Sequence, residues 1–265
     1  MRILLVQPTP FEDQRLGLEN TFWMSEPVAL TSVAAMVPEH EVRVLDMRLE
    51  QGHVLAQVLT EFRPQVVGTT AMTTDAYQSL AVLRLARELA PEALTMVGGH
   101  HATMMSEFYH RPFVDVVVKG EGEQTFRTMI EAWQDQGFDH GGHDASCLES
   151  IGGIEVQVEP GRWVDTGKAE WLHLDSLPAP ARHLLDSYRG QYFFLAGRPM
   201  AAIFTSRGCS FDCNFCAIWE FYDRKTRYLS AEKIVDRMED CSEPFIFFLD
   251  DNFLSRTDRL EALCD

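Results

Sequence analysis

"QVVGTTAMTTDAYQSLAVLRLARELAPEALTMVGGHHAT", residues 65 to 103, holds one complete β-α-β repeat, and the fold follows from how it is read. "QVVGTT" (65–70) and "LTMVGG" (94–99) are short apolar runs of the kind buried on both faces of a sheet, and a helical pattern over 75–90 lies between them. Two strands joined by a helix of that length run parallel, because the crossover returns the chain to the same end of the sheet. The same alternation extends outward. "RILLVQ" (2–7), "EVRVLD" (41–46) and "VDVVVKG" (114–120) read as further strands, with helices near 28–37, 54–62 and 123–135. Repeated βα units predict an α/β fold with a doubly wound parallel sheet over residues 1–136.

The pattern changes after that sheet. Residues 137–198 begin Gly-rich ("GFDHGGHDASCLESIGG"), continue as a hairpin around Pro160-Gly161 in "IEVQVEPGRWVDT", and end in the proline-interrupted "LDSLPAPARHLLD". They read as a linker with a small β element. Residues 199–265 form a third region: a strand "MAAIFTS" (200–206), a cysteine cluster, a helix capped by Ser230, and a strand "FIFFLD" (245–250).

Composition narrows the function classes. The formal charge of −17 opposes contact with phosphate backbones, so nucleic acid is not an expected partner. No apolar stretch approaches the ~20 residues of a membrane span, and "MRILLV" stops too soon for a secretory segment. The chain reads as cytoplasmic. Of six cysteines, three fall within eight residues and Cys147, Cys241 and Cys264 are scattered, which suits metal ligation in a reducing compartment better than disulfides. Cys241 and Cys264 read as buried core thiols.

Ligands of open parallel sheets bind beyond the carboxyl ends of the strands. Here those ends carry "GTTAMTTDAY", with Thr70 and Thr73; "VGGHHAT", with Gly98, Gly99 and His100; and "KGEGEQTF", with Gly120 and Glu121. Glycine lets backbone approach a bulky ligand closely, although the same glycines also suit tight strand-to-helix turns. His100 and His101 fit a ligand contact or a helix start equally, and Glu121 and Glu123 suit the opening of a helix. After the first strand stands "VQPTPFED" instead of G-x-G-x-x-G, so nothing marks a dinucleotide. His140, His143 and Cys147, with Asp139 and Asp144, offer divalent-metal donors but sit in a Gly-rich, solvated stretch.

"TSRGCSFDCNFCAIW" (205–219) sets Cys209, Cys213 and Cys216 in a Cys-x3-Cys-x2-Cys array. A structural zinc site draws on a second cysteine pair, and a ferredoxin run on a fourth nearby cysteine, and neither is present. The array is compatible with a cubane cluster that leaves one iron open to a small molecule. Three cysteines at these intervals can also hold zinc.

This array resembles that of the radical S-adenosylmethionine (SAM) enzymes, and Phe215 before the third cysteine fits the same pattern. With "ILLVQP", the Thr70 and Thr73 loop, "GGHHAT", "GEGEQTF", "LDSLPAPARHLLD" and "CNFCAIWEFYDRKTRYLSAEKIVD", the resemblance sharpens to the cobalamin-binding radical SAM class and covers almost the whole chain. It implies a flavodoxin-like cobalamin domain followed by the first βα units of a partial (β/α) barrel. It also implies a 4Fe-4S cluster on Cys209, Cys213 and Cys216, SAM on the open iron, and cobalamin at the Thr and Gly loops. No Asp-x-His-x-x-Gly occurs, so by resemblance cobalt has no histidine beneath it. Asp250 and Asp251 in "FFLDDNF" are expected either to receive the SAM ammonium or to cap a helix. Trp219, Phe221 and Tyr222 are expected to shield the cluster or to be core aromatics.

The implied activity is methylation of an unactivated carbon through a 5′-deoxyadenosyl radical and methylcobalamin. The substrate would be a small molecule and the electron donor a flavodoxin or ferredoxin. Ring formation on a tetrapyrrole is the alternative within the class, and a non-catalytic cobalamin sensor or carrier the alternative outside it. Such a barrel needs about six βα units and the chain holds two of its strands, so it is expected to be either a fragment of a longer enzyme or a stand-alone remnant that binds cobalamin, and inactive as it stands.

Overall fold

A computed structural model of the chain describes residues 1–9, 22–135 and 145–264. These divide into two units. The first holds residues 1–9, 29–135, 145–171 and 180–184, and the second residues 22–28, 172–179 and 185–264.

In the first unit β1 (Arg2–Gln7), β2 (Glu41–Asp46), β3 (Val66–Thr70), β4 (Leu94–Gly98) and β5 (Val116–Val118) pair in parallel. Their order across the sheet is β2-β1-β3-β4-β5, the flavodoxin-like arrangement, whose strand order reverses between β1 and β3. Helices α1 (Val28–Ala34), α2 (Val54–Phe62), α3 (Ala76–Leu89), α4 (His100–Met104) and α5 (Glu123–Asp135) connect the strands. Ile3, Leu4, Leu5 and Val6 on the interior strand β1 are each at most 1% exposed, and burial of such side chains contributes ~1.5–3 kcal/mol apiece. Alternate residues serve opposite faces: Leu4 and Val6 pack with Leu55, Leu59 and Phe62 of α2.

Two features differ from the sequence expectation. β5 is shorter than 114–120, because Gly120 turns the chain with φ of +72°. The hairpin expected within a linker, β6 (Ile154–Glu159) and β7 (Arg162–Asp165), instead extends the sheet antiparallel beside β5. The reason is the edge: a three-residue last strand would leave backbone groups bare, and Ile154 and Val156, both fully buried, supply an apolar face to cover it. Glu155 faces the other way. It accepts hydrogen bonds from Ser106 Oγ (2.7 Å), pairs with His110 Nε2 (2.7 Å) and takes Lys119 Nζ at 3.2 Å. The Gly-rich start of the expected linker, 137–144, lies outside the described residues.

The second unit is built on a parallel pair, β8 (Met200–Ile203) and β9 (Phe245–Phe248), in register from Met200 opposite Phe245. Between them runs α6 (Ala231–Glu239). Its cap is as expected: Ser230 Oγ accepts from Lys233 N at 3.3 Å, and Ile234 packs with Leu174 and Leu229. β8 stops three residues before the expected 206, because Thr205 and Ser206 turn their hydroxyls to Asp250. Ser206–Arg207 then pairs antiparallel with Arg227–Tyr228, and α7 (Thr257–Cys264) follows β9. Cys241 is half-buried, not a core thiol, with its Sγ donating to Arg237 O (3.2 Å).

Candidate functional site

The carboxyl ends of β3, β4 and β5 are laced to one another by backbone. Ala71 N donates to Gly98 O (2.9 Å), and His101 N donates to Ala71 O (2.9 Å). Thr103 completes the lacing: its Oγ1 donates to Gly99 O and accepts from Gly120 N, both at 2.9 Å. Thr70, Gly98, Gly99, His100 and Gly120 therefore gather along three adjacent strand ends, next to Glu121. Thr73 stands exposed on the turn that follows Thr70.

The glycines divide by physical role. At Gly99 (φ +97°) an added Cβ would lie 2.6 Å from Thr70 Oγ1 and 2.8 Å from Ala71 N, so the tight turn by itself requires glycine. At Gly120 a Cβ would meet nothing within 4 Å among the described residues, so the space in front of that backbone is open. The glycine-rich strand ends are of a kind that lets backbone approach a large flat group such as cobalamin.

Beside these loops is a polar cluster of which the sequence reading singled out only His101. Asp75, 3% exposed, accepts from Met72 N at 2.6 Å and so holds the β3–α3 turn; burial pushes its carboxyl up to about 6. Tyr109, fully buried, meets His101 Nδ1 at 2.8 Å. Burial raises the Tyr109 phenol to about 12 and lowers the His101 imidazole, whose neighbour His100 adds to the effect. Asp75 lies within the quoted "TTDAY", but nothing in one sequence says which Asp turns inward.

In the second unit the cysteine loop leaves β8 through a rigid entry. Gly208 (φ +91°) has no room for a side chain, since a Cβ would sit 2.2 Å from Lys225 O. Its N–H donates to Asp251 Oδ2 at 3.1 Å. Asp250 accepts Thr205 Oγ1 at 2.7 Å, Thr205 N at 3.2 Å and Ser206 Oγ. Neither aspartate caps a helix, because α7 starts only at Thr257. Trp219 Nε1 donates to Cys213 O (3.0 Å) and so braces the cysteine turn, while Phe221 and Tyr222 pack edge to face at 4.7 Å, half-buried.

Cys209 and Cys216 are half-buried, Cys213 is exposed, and Phe215 is 89% exposed beside them. Among the described residues no three His, Cys, Asp or Glu side chains converge as a metal-binding group, so the three thiols share a loop without being drawn together. Their chemistry fits an iron–sulfur cluster nonetheless. All three are unbridged thiols on one short loop, anchored before Cys209 and again at Cys213. His140, His143, Asp139 and Asp144 lie outside the described residues. No helix among the described residues is long and apolar enough to cross a membrane.

Comparison with known proteins agrees with both halves. The B12 binding domain family matches residues 24–130. The chain is 31% identical over 264 residues to the uncharacterized methyltransferase PH0819 of Pyrococcus horikoshii, covering 96% of this chain and 54% of that protein. It is 29% identical over 257 residues to the hopanoid C-3 methylase of Methylococcus capsulatus, covering 95% and 46%. It therefore spans about half the length of these curated relatives. The solved structure of the cobalamin-dependent SAM radical enzyme OxsB, with aqua-cobalamin and SAM bound, superposes with a TM-score of 0.74 at 19% identity, over 99% of this chain and 36% of that one. The chain thus carries a B12 binding domain on a sheet in flavodoxin order, and beyond it a parallel strand pair with three cysteines, and it shares the fold of a cobalamin-dependent SAM radical enzyme.

Proposed function

We propose that this chain contributes the cobalamin domain and the cluster-bearing start of an enzyme that methylates an unactivated carbon of a small molecule. The supporting observation is the pairing, in one chain, of a B12 binding domain whose glycine-bearing strand ends are open at Gly120 with three unbridged thiols at the carboxyl end of a parallel strand. Active sites of βα folds are built at that end of the strands, so both sets of residues stand where their folds do chemistry.

When bound, a reduced 4Fe-4S cluster with SAM supplies radical chemistry for abstracting hydrogen, and cobalamin supplies the methyl group. The chain's own residues hold and orient these groups. Cys209, Cys213 and Cys216 are the proposed cluster ligands, with Phe215 beside them as a proposed cofactor contact. Thr70, Thr73, Gly98, Gly99, His100, Gly120 and Glu121 line the proposed cobalamin cradle. Asp250 and Asp251 lie beside the proposed SAM position. A cytoplasmic location and a one-electron donor such as flavodoxin or ferredoxin complete the proposal.

Anaerobic reconstitution of the chain with iron, sulfide and hydroxocobalamin, followed by absorbance spectroscopy, tests it. The expected result is a broad cluster band together with base-off cobalamin features. Cobalamin features alone would convert the reading to a sensor or carrier. Incubation of the full-length enzyme with labelled SAM and candidate substrates then separates methylation from cyclisation, since only methylation leaves the label in the product.

A further inference from the structure

Arg259 sits on α7, fifty residues beyond Cys209 in sequence and close to the turn before it in space. The side chain is 8% exposed. Its Nη1 donates to Thr205 O (3.0 Å) and to Thr205 Oγ1 (2.8 Å), its Nη2 donates to Phe253 O (3.1 Å), and its buried Nε has no hydrogen-bond partner among the described residues. The guanidinium also lies 5.1 Å from the centroid of the Tyr228 ring and 5.3 Å from that of Phe253. A cation desolvated this far, with one donor unsatisfied, costs stability unless its position serves something else.

Its contacts indicate what that is. Thr205 Oγ1 accepts from Arg259 and therefore has its single proton left to give, which it gives to Asp250 Oδ1 (2.7 Å). The same Asp250 oxygen takes the Ser206 hydroxyl, and the other takes Thr205 N (3.2 Å). Asp251, the next residue, fixes Gly208 N (3.1 Å). Four consecutive positions, Thr205 to Gly208, thus enter Cys209 with three of them tied to two neighbouring carboxylates. One hydroxyl links these carboxylates' strand end to a buried cation.

We propose that Arg259 is a positioning residue: acting through the Thr205 hydroxyl it orients Asp250, and the relay sets the backbone from which the Cys209 thiol is presented for cluster binding. The inference rests on the reading of the three cysteines as cluster ligands. The relay also explains why the end of β9 carries two aspartates in succession. One holds the two hydroxyls before the loop, and the other holds the glycine at its entry. Hydrogen bonds to a carboxylate are stronger than neutral ones, so removing the shared hydroxyl disturbs both the cation and the anion it joins.

The experiment compares wild type, T205V, T205S and R259M in the 265-residue chain. Threonine to valine keeps shape and removes the relay hydroxyl; serine keeps the hydroxyl and serves as the rescue. Alkylation of each thiol in the apo chain is followed by peptide mass spectrometry. Wild type and T205S are expected to alkylate Cys209 more slowly than Cys213, and T205V and R259M to lose about tenfold of that difference, as expected for a lost charge-assisted bond. Cluster loading, measured as iron and sulfide per chain, should fall in T205V and R259M and return in T205S, with cobalamin binding unchanged in all. Equal Cys209 rates in wild type and T205V overturn the relay, as does equal loss in T205V and T205S. If R259M loses cobalamin binding as well, the residue is a general fold determinant and the proposal also fails. Wild-type chain that shows the expected alkylation pattern but takes up no cluster would overturn the ligand reading instead, so the two failures are distinguishable.

Discussion

Replacing Asp75 with asparagine should stabilise the cobalamin-binding unit, by an amount that depends on pH. The Asp75 carboxyl is 3% exposed beneath the β3–α3 turn, and burial raises it from 3.8 to about 6. A raised carboxyl means that the fold favours the neutral acid. The charge penalty is therefore absent below the unfolded value of 3.8 and is fully developed once the pH exceeds the folded value of about 6. At ~1.4 kcal/mol per pH unit the displacement amounts to about 3 kcal/mol. Asparagine keeps the carbonyl oxygen that accepts Met72 N at 2.6 Å, and it carries no charge at any pH. Its advantage over wild type should grow from about 1 kcal/mol near pH ~4.5 to about 3 kcal/mol near pH ~8. Hydrogen exchange of α3 peptides as a function of urea, read by mass spectrometry at both pH values, measures the first unit separately from the second. A variant that is less stable at both pH values, or more stable by the same amount at both, would refute the reasoning, because only the titrating charge produces the difference between them.

The glycines give a contrasting pair. Gly99→Ala places a methyl 2.6 Å from Thr70 Oγ1 at a φ of +97° and should cost upward of ~2 kcal/mol in thermal or urea unfolding. Gly120→Ala places it in open space, so it should cost only ~1 kcal/mol of backbone strain yet weaken cobalamin binding in a spectroscopic titration. Gly208→Ala cannot be built without moving Lys225 O, 2.2 Å from the new methyl. It should abolish cluster incorporation, measured as iron per chain, while cobalamin binding persists. At Glu155 burial acts to raise the carboxyl, but hydrogen bonds from Ser106, His110 and Lys119 outweigh it and the net displacement is downward. Its contribution is present above the ordinary value of 4.5 and is lost as pH falls through the lower folded value. Exchange protection of β6 and β7 should drop in that acid range, and E155Q should remove the pH-dependent step.

Much of the architecture is legible along the chain because periodicity carries it. Five parallel strands and the long helices α2, α3 and α5 follow from apolar runs and helical spacing that each segment shows by itself, as does the cap at Ser230. The three cysteines stand out for the same kind of reason: spacing along eight residues is a local property. Where contacts are distant, a single sequence is silent. "IEVQVEPGRWVDT" announces a hairpin, but joining the sheet depends on a strand some forty residues earlier being too short to close its own edge. At α4 the sequence offered only a helix start at His100 and His101 as one of two readings, because five residues are too few to show a period.

The order of elements, the doubly wound α/β class and the thiol array were written in local pattern, since burial on both faces or a fixed interval constrains neighbouring residues directly. Three-dimensional folding alone assigned Asp75 an interior place, bound Asp250 to Thr205 and Ser206, and brought Arg259 to the entry of the cysteine loop. Those pairings join residues up to about fifty positions apart. Whether a carboxylate faces water, a cofactor or a hydroxyl depends on which backbone turns toward it, and neighbouring residues do not encode that.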